Sequence, residues 1–174
     1  FNRHDWQIDE AILLYDDMEV IIDGCSIKQN DYVFDNIFRG ANLKVNEEDP
    51  YGKPLYITKL RNITIKGYNK GRIIGCDKNK RGYHPVTEKE EDMVGDFWGW
   101  RTISICLSNC EDIEICGLDI LQTKCWAISL DVCSYGNLHD INIVSDVRNG
   151  DGIDLRAGCH HFRIWNIYGN TSDD

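Results

Sequence analysis

No run of apolar residues in this sequence reaches 18, so no segment has the length and hydropathy of a transmembrane helix. Basic side chains are also in short supply: 19 Lys and Arg stand against 29 Asp and Glu, for a formal net charge of -10. Phosphate backbones are held by clustered Lys and Arg, so neither a nucleic-acid groove nor a membrane partner is expected. From Arg101 onward the imbalance sharpens to eleven acidic residues against five basic ones, and an acidic polysaccharide would be held only through local cations. Helical periodicity is missing from the same region, where apolar residues do not recur at i, i+3, i+4 and i+7. The eight cysteines include no CxxC pair, and the CxxxC of Cys106 and Cys110 lacks a second pair, so no metal held by cysteine is expected. The sequence opens at Phe1 without an initiator Met, a basic n-region or a signal-peptide core. The compartment is left open, with the cysteine content leaning toward a reducing interior.

What is present is repetition. Asp112-Ile113-Glu114-Ile115-Cys116-Gly117-Leu118, Asp140-Ile141-Asn142-Ile143-Val144-Ser145 and His161-Phe162-Arg163-Ile164-Trp165-Asn166-Ile167 each alternate apolar and polar residues, at intervals of about 20 to 30 residues. Asn62-Ile63-Thr64-Ile65-Lys66-Gly67 matches the first of them position for position. A second phrase runs between: Ile128-Ser129-Leu130-Asp131 aligns with Ile153-Asp154-Leu155-Arg156, so each turn of chain contributes at least two strands with a corner between. The pattern predicts an all-β fold, a parallel β-helix whose rungs bury their inward side chains against the rungs above and below.

Taken in order, residues 6–14 read as a short amphipathic segment or a first strand pair. Residues 18–24 read as a strand closed by Asp23-Gly24, and Ser26-Ile27-Lys28 as its continuation past a corner. Gly71-Arg72-Ile73-Ile74-Gly75-Cys76 reads as a further strand after the Asn62 phrase. The expectation is one domain over residues 1–174, with surface loops at about 44–58 and 77–100. The second loop ends in Phe97-Trp98-Gly99-Trp100, where Trp98 or Trp100 offers a flat face to a sugar ring or anchors the loop to the coil. Cys110, Cys133 and Cys159 fall at successive corners and Cys106 and Cys116 within strands, which favours buried thiols stacked along the coil over disulfides. The abrupt start, and an end at Asp173-Asp174 where a strand is due, suggest a piece of a longer polypeptide or association through open coil ends.

Asn149-Gly150-Asp151-Gly152-Ile153-Asp154 is followed about one rung later by Thr171-Ser172-Asp173-Asp174. Locally each is a turn sequence in which Asp is common. In a parallel β-helix, however, residues one rung apart lie nearly above one another, so Asp151 approaches Asp173 and Asp174. Crowded carboxylates repel, which raises at least one pKa and separates an acid from a base, the division of labour that glycosidic cleavage requires.

These residues, with Arg101-Thr102-Ile103-Ser104-Ile105, Cys110-Glu111-Asp112-Ile113 and Thr123-Lys124-Cys125-Trp126, resemble polygalacturonase-like enzymes, glycoside hydrolase family 28, over about the last 75 residues. The resemblance implies a right-handed parallel β-helix of the pectin-lyase-like kind and an inverting hydrolase without metal or organic cofactor. It implies Asp173 as general acid, Asp151 and Asp174 as the groups that hold and activate water, and Asn149 and Trp126 beside the substrate. Departures stand at Gly150, where Thr is usual, and at Ser172, where Gly or Gln commonly precedes the pair. The family's Gly-His-Gly and Arg-x-Lys motifs lie downstream of the pair, beyond Asp174; His160 and His161 precede it and read as corner residues. Three classes therefore compete: a glycoside hydrolase acting on a polysaccharide or oligosaccharide, a uronate-containing one among the candidates; a noncatalytic carbohydrate-binding or structural β-helix; and a polysaccharide lyase, which commonly wants calcium and a basic residue.

Overall fold

The computed structural model describes residues 1, 4–44, 55–56, 58–84, 86–94 and 102–174. Among these residues the fold is all-β, without a helix, and its sheets are mostly parallel. The chain opens with β1 (Trp6–Ile8), β2 (Ile12–Leu14), β3 (Glu19–Asp23), β4 (Ser26–Gln29) and β5 (Phe38–Gly40). A short antiparallel pair follows, β6 (Leu43–Lys44) with β7 (Leu55–Tyr56). Next come the long strand β8 (Leu60–Ile74) and the hairpin of β9 (Arg81–His84) and β10 (Lys89–Asp92). The remaining strands alternate short and long: β11 (Ile105–Ser108), β12 (Cys110–Leu121), β13 (Ile128–Asp131), β14 (Ser134–Val144), β15 (Ile153–Leu155) and β16 (His160–Asn170).

The long strands stack, after β1, β3 and β4, in one parallel sheet, β1-β4-β8-β12-β14-β16 with β3 also on β8; only short strands stack in the other, β15-β13-β11-β5-β2. Each pass of the chain thus adds one strand to each sheet, an arrangement consistent with a β-helix. Register is set by columns of like residues. Ile65, Ile115, Leu138 and Ile164 lie side by side in the first sheet, and Phe38, Ile105, Ile128 and Ile153 in the second. Most of these side chains are fully buried in one core cluster, and each buried Ile or Leu contributes about 1.5–3 kcal/mol. One column departs from like sizes: Ile63 and Ile113 are followed by Gly136 and then Phe162. A Cβ on Gly136 would stand 2.1 Å from Cε1 of Phe162, so the ring occupies the space that glycine leaves. Buried amides tie the passes together, Asn36 Nδ2 donating to the Ile103 carbonyl and Asn42 Nδ2 to those of Thr58 and Ser108.

The long strands bend where φ turns positive at equivalent positions: Asn62 (55°), Asp112 (59°), Tyr135 (57°) and His161 (61°). Asn and Asp tolerate this region. Tyr135 and His161 occupy it as a stacked pair, with ring centroids 4.7 Å apart.

Several expectations change. Asp112 lies opposite Tyr135, and His161 opposite Tyr135 in turn, so the Asp140 phrase is not the middle copy. It aligns instead with the second half of β12, Asn142 opposite Asp119 and Ile143 opposite Ile120. Apolar alternation recurs on both sides of each bend, so the pattern's period is shorter than the chain's. Residues 71–76 do not start a new strand: β8 runs through Gly67–Lys70 as a bulge, with φ of 47° at Asn69 and 67° at Lys70. The second expected loop contains the β9–β10 hairpin. All eight cysteines are free thiols, and Cys110, Cys133 and Cys159 stack in one column as expected. Cys116 is not in the core; it faces outward, half-buried, between Lys66 and His139.

Candidate active site

The carboxylates of the expected site belong to two corners that flank the second sheet. Asn149, with φ of 54°, makes the turn that delivers Gly150 and Asp151 to the start of β15. The backbone then locks this corner to its neighbours on both sides. The Asp151 carbonyl accepts from Ala127 N at 2.9 Å in the preceding pass, and Gly152 N donates to the Asp174 carbonyl at 3.0 Å in the following one. Ser172 supports the upper corner, its hydroxyl accepting from Val147 N at 3.2 Å and donating to the Val147 carbonyl. Gly150 is buried beneath it, and a Cβ there would stand 2.4 Å from both the Ser145 and Ser172 hydroxyls. The Gly150 and Ser172 departures thus fit one another: the smaller residue at one makes room for the hydroxyl at the other.

Asp151 feels both acids of the upper corner. Its carboxyl is raised above the ordinary Asp value of 3.8, first by burial and then by the negative charge of Asp173, with a smaller push from Asp174. The influences that lower it are hydrogen bonds, from its own backbone and with the Asp154 side chain. Asp154 is therefore a fourth acid of the cluster that the turn motif contained but that was not expected to join the site. Its place in a short alternating strand, three residues after Asp151, was the available signal. Asp173 and Asp174 are exposed, whereas Asp151 is half-buried.

Beyond Asp154 the outward column of the second sheet continues through Ser129, Cys106 and Arg39. Burial pushes the Cys106 thiol up to about 12, which removes it as a nucleophile at neutral pH. Trp126 lies one pass before Asp151 and packs on a small apolar cluster of Leu43, Ile103, Cys106 and Cys125. The Arg156 guanidinium sits 5.3 Å over its ring, so one stacking face already carries a cation. That arrangement puts a positive charge beside the column that ends at the acids. Trp98 and Trp100 lie outside the described residues. An open groove of about 450 Å³ borders Asp174, lined by Ile143, Ile153, Ile164, Ile167, Tyr168 and Thr171. Its mostly apolar wall is unlike a surface that hydrogen-bonds sugar hydroxyls.

No family model matches the sequence. No curated protein matches it either. Among solved structures, a crystal structure of a candidate glycosyl hydrolase from Parabacteroides merdae ATCC 43184 is similar in fold, with a TM-score of 0.54 and 16% sequence identity. The match covers 92% of this chain and 77% of that one. At such identity the likeness speaks to the fold alone.

Proposed function

We propose that this chain is a glycoside hydrolase acting on a polysaccharide or oligosaccharide. In this reading residues 1–174 form one right-handed parallel β-helix domain of the polygalacturonase-like kind. The observation that carries the reading is the stacking of the Asp151 corner on the Asp173-Asp174 corner, where Gly152 N donates to the Asp174 carbonyl at 3.0 Å and where burial, then the charge of Asp173, raises the proton affinity of Asp151. The name of the Parabacteroides merdae protein of similar fold agrees with it at the level of glycoside hydrolysis.

In the mechanism the resemblance implies, Asp173 gives a proton to the glycosidic oxygen as the bond to the anomeric carbon breaks. Asp151 and Asp174 draw a proton from the water that attacks that carbon from the opposite face, inverting it. Asn149 holds the corner that carries Asp151, and Trp126 with Arg156 offers an apolar face and a cation to a sugar ring, a uronate included.

Reducing-sugar release from polygalacturonate and from neutral plant glycans, by the parent and by Asp173→Asn and Asp151→Asn, tests the proposal. Loss of release with an unchanged circular dichroism spectrum supports it. An inactive parent that binds sugar as well as either variant would make the protein a noncatalytic binder. A product absorbing in the ultraviolet as an unsaturated uronide would make it a lyase.

A further inference from the structure

We propose that Glu114, Cys116 and His139 form a binding site for a divalent cation of the Zn²⁺ type on the outward face of the long-strand sheet. Glu114 and Cys116 are two apart on β12 and therefore share a face, and His139 on β14 stands directly opposite Cys116. Their ligand atoms all lie within 4.8 Å of one another, the one such His, Cys and carboxylate group among the described residues. Glu114 Oε1 is 3.8 Å from Cys116 Sγ and 3.8 Å from His139 Nε2. A tetrahedral Zn²⁺ with bonds of about 2.0–2.3 Å sets its ligands about 3.3–3.6 Å apart, so small rotations of the side chains close the site. Thiolate, imidazole and carboxylate are a donor set that suits this ion.

The surroundings are those of a metal-binding imidazole. His139 Nδ1 lies 2.6 Å from Asp140 Oδ2, and Asp140 Oδ1 accepts in turn from Asn166 Nδ2 at 2.9 Å. A ring nitrogen engaged by a carboxylate leaves Nε2, the atom facing Glu114, with its lone pair for a metal. Trp165 stacks on the same imidazole at 4.1 Å and 10°, which fixes the ring plane and screens one side. Lys66 is the competitor, with Nζ 3.5 Å from Glu114 Oε1, but it also has Glu19 at 3.8 Å to turn to. On binding, the thiol S–H bond breaks, a sulfur–metal bond forms, and the proton now donated to Glu114 leaves to solvent. One position of the tetrahedron stays open for water, and the ion ties β12 to β14. The expectation of no cysteine-held metal looked for ligands close in sequence; here 23 residues, one full pass, separate Cys116 from His139.

Equilibrium dialysis of the full chain against Zn²⁺, with Co²⁺ as the spectroscopic probe, tests the site without reference to catalysis. One ion per chain is expected, with a thiolate-to-Co²⁺ charge-transfer band that Cys116→Ser abolishes and Glu114→Gln or His139→Ala weakens. Asp140→Asn should lower the affinity by about 10–100-fold. Lys66→Met, which removes the competing cation, should raise it. Cys116 and Glu114 are only half-buried, so their variants carry the test if His139→Ala fails to fold. Absence of saturable binding, or Cys116→Ser binding Co²⁺ with the parent's spectrum and affinity, would overturn the proposal.

Discussion

Two clusters of ionisable groups sit on these stacked strands, and they are balanced differently. Around Asp151 the neighbouring charges are negative, and what eases the carboxyl is hydrogen bonding rather than a cation. Around Glu114 the partners differ in kind: the Lys66 ammonium lies on one side and the His139 imidazole on the other, with Asp140 behind the ring. Burial alone would lower the Lys66 pKa, yet the Glu114 carboxylate holds it above its usual value. Crowding like charges at a corner costs a fold stability, which is the ground on which the proposed hydrolysis is placed there; a cluster with a cation in it can be maintained for structure or for a ligand.

The comparison breaks most visibly in catalysis. Asp173→Asn should lower the hydrolysis rate by about 10²–10⁴-fold, the worth of a positioned acid, while Glu114→Gln leaves the rate alone; reducing-sugar assays on both variants check this. Apart from both clusters stands the interior column through Gly136. Gly136→Ala should cost about 1–3 kcal/mol in urea unfolding, because its Cβ meets the Phe162 ring, and this overpacking sets a scale for damage to the fold itself. Asp151→Asn should have the opposite sign. Asp151 binds its proton more tightly in the folded chain, so as pH rises from its unfolded value of 3.8 the unfolded state ionises first and native stability falls. The variant escapes that loss: its Tm should exceed the parent's at neutral pH, and the gain should vanish below pH 3.8. Smallest of all, Glu114→Gln in metal-free buffer should cost no more than about 1 kcal/mol, shrinking with added salt, as measured by denaturation at two ionic strengths.

Much of this organisation is legible in the sequence, for identifiable reasons. The Asn62 and Asp112 phrases pair in the register their letters suggest, because in both the apolar residues fill the same interior columns. Ile128 against Ile153 follows for the same reason. The approach of Asp173 and Asp174 to Asp151 needed only the length of one pass. What the letters conceal is phase and direction. Asp140-Ile141-Asn142-Ile143 alternates as well as the true copy does, and only backbone bends at Tyr135 and Asp140 tell them apart. The hairpin of β9 and β10 has no apolar stripe to announce it, β10 being charged throughout and β9 reading Arg-Gly-Tyr-His. Cys116 belongs by residue type to a core and by position to the surface, since its neighbours Ile115 and Leu118 take the inward places. Trp126 suggests an open platform for a sugar, and the guanidinium above it comes from a residue 30 positions away.

Vertical registry also makes the length of this protein a countable quantity. Excising residues 111–133 would remove β12 and β13 together and leave Cys110 joined to Ser134, the same dipeptide that Cys133 and Ser134 already form. β8 would then meet β14 with Arg61 facing Ser134, and β11 would meet β15 with Ile105 facing Ile153. Both seams would close without a slip, so a shortened chain keeps its columns and its acid corner while losing Glu114 and Cys116 from beside His139.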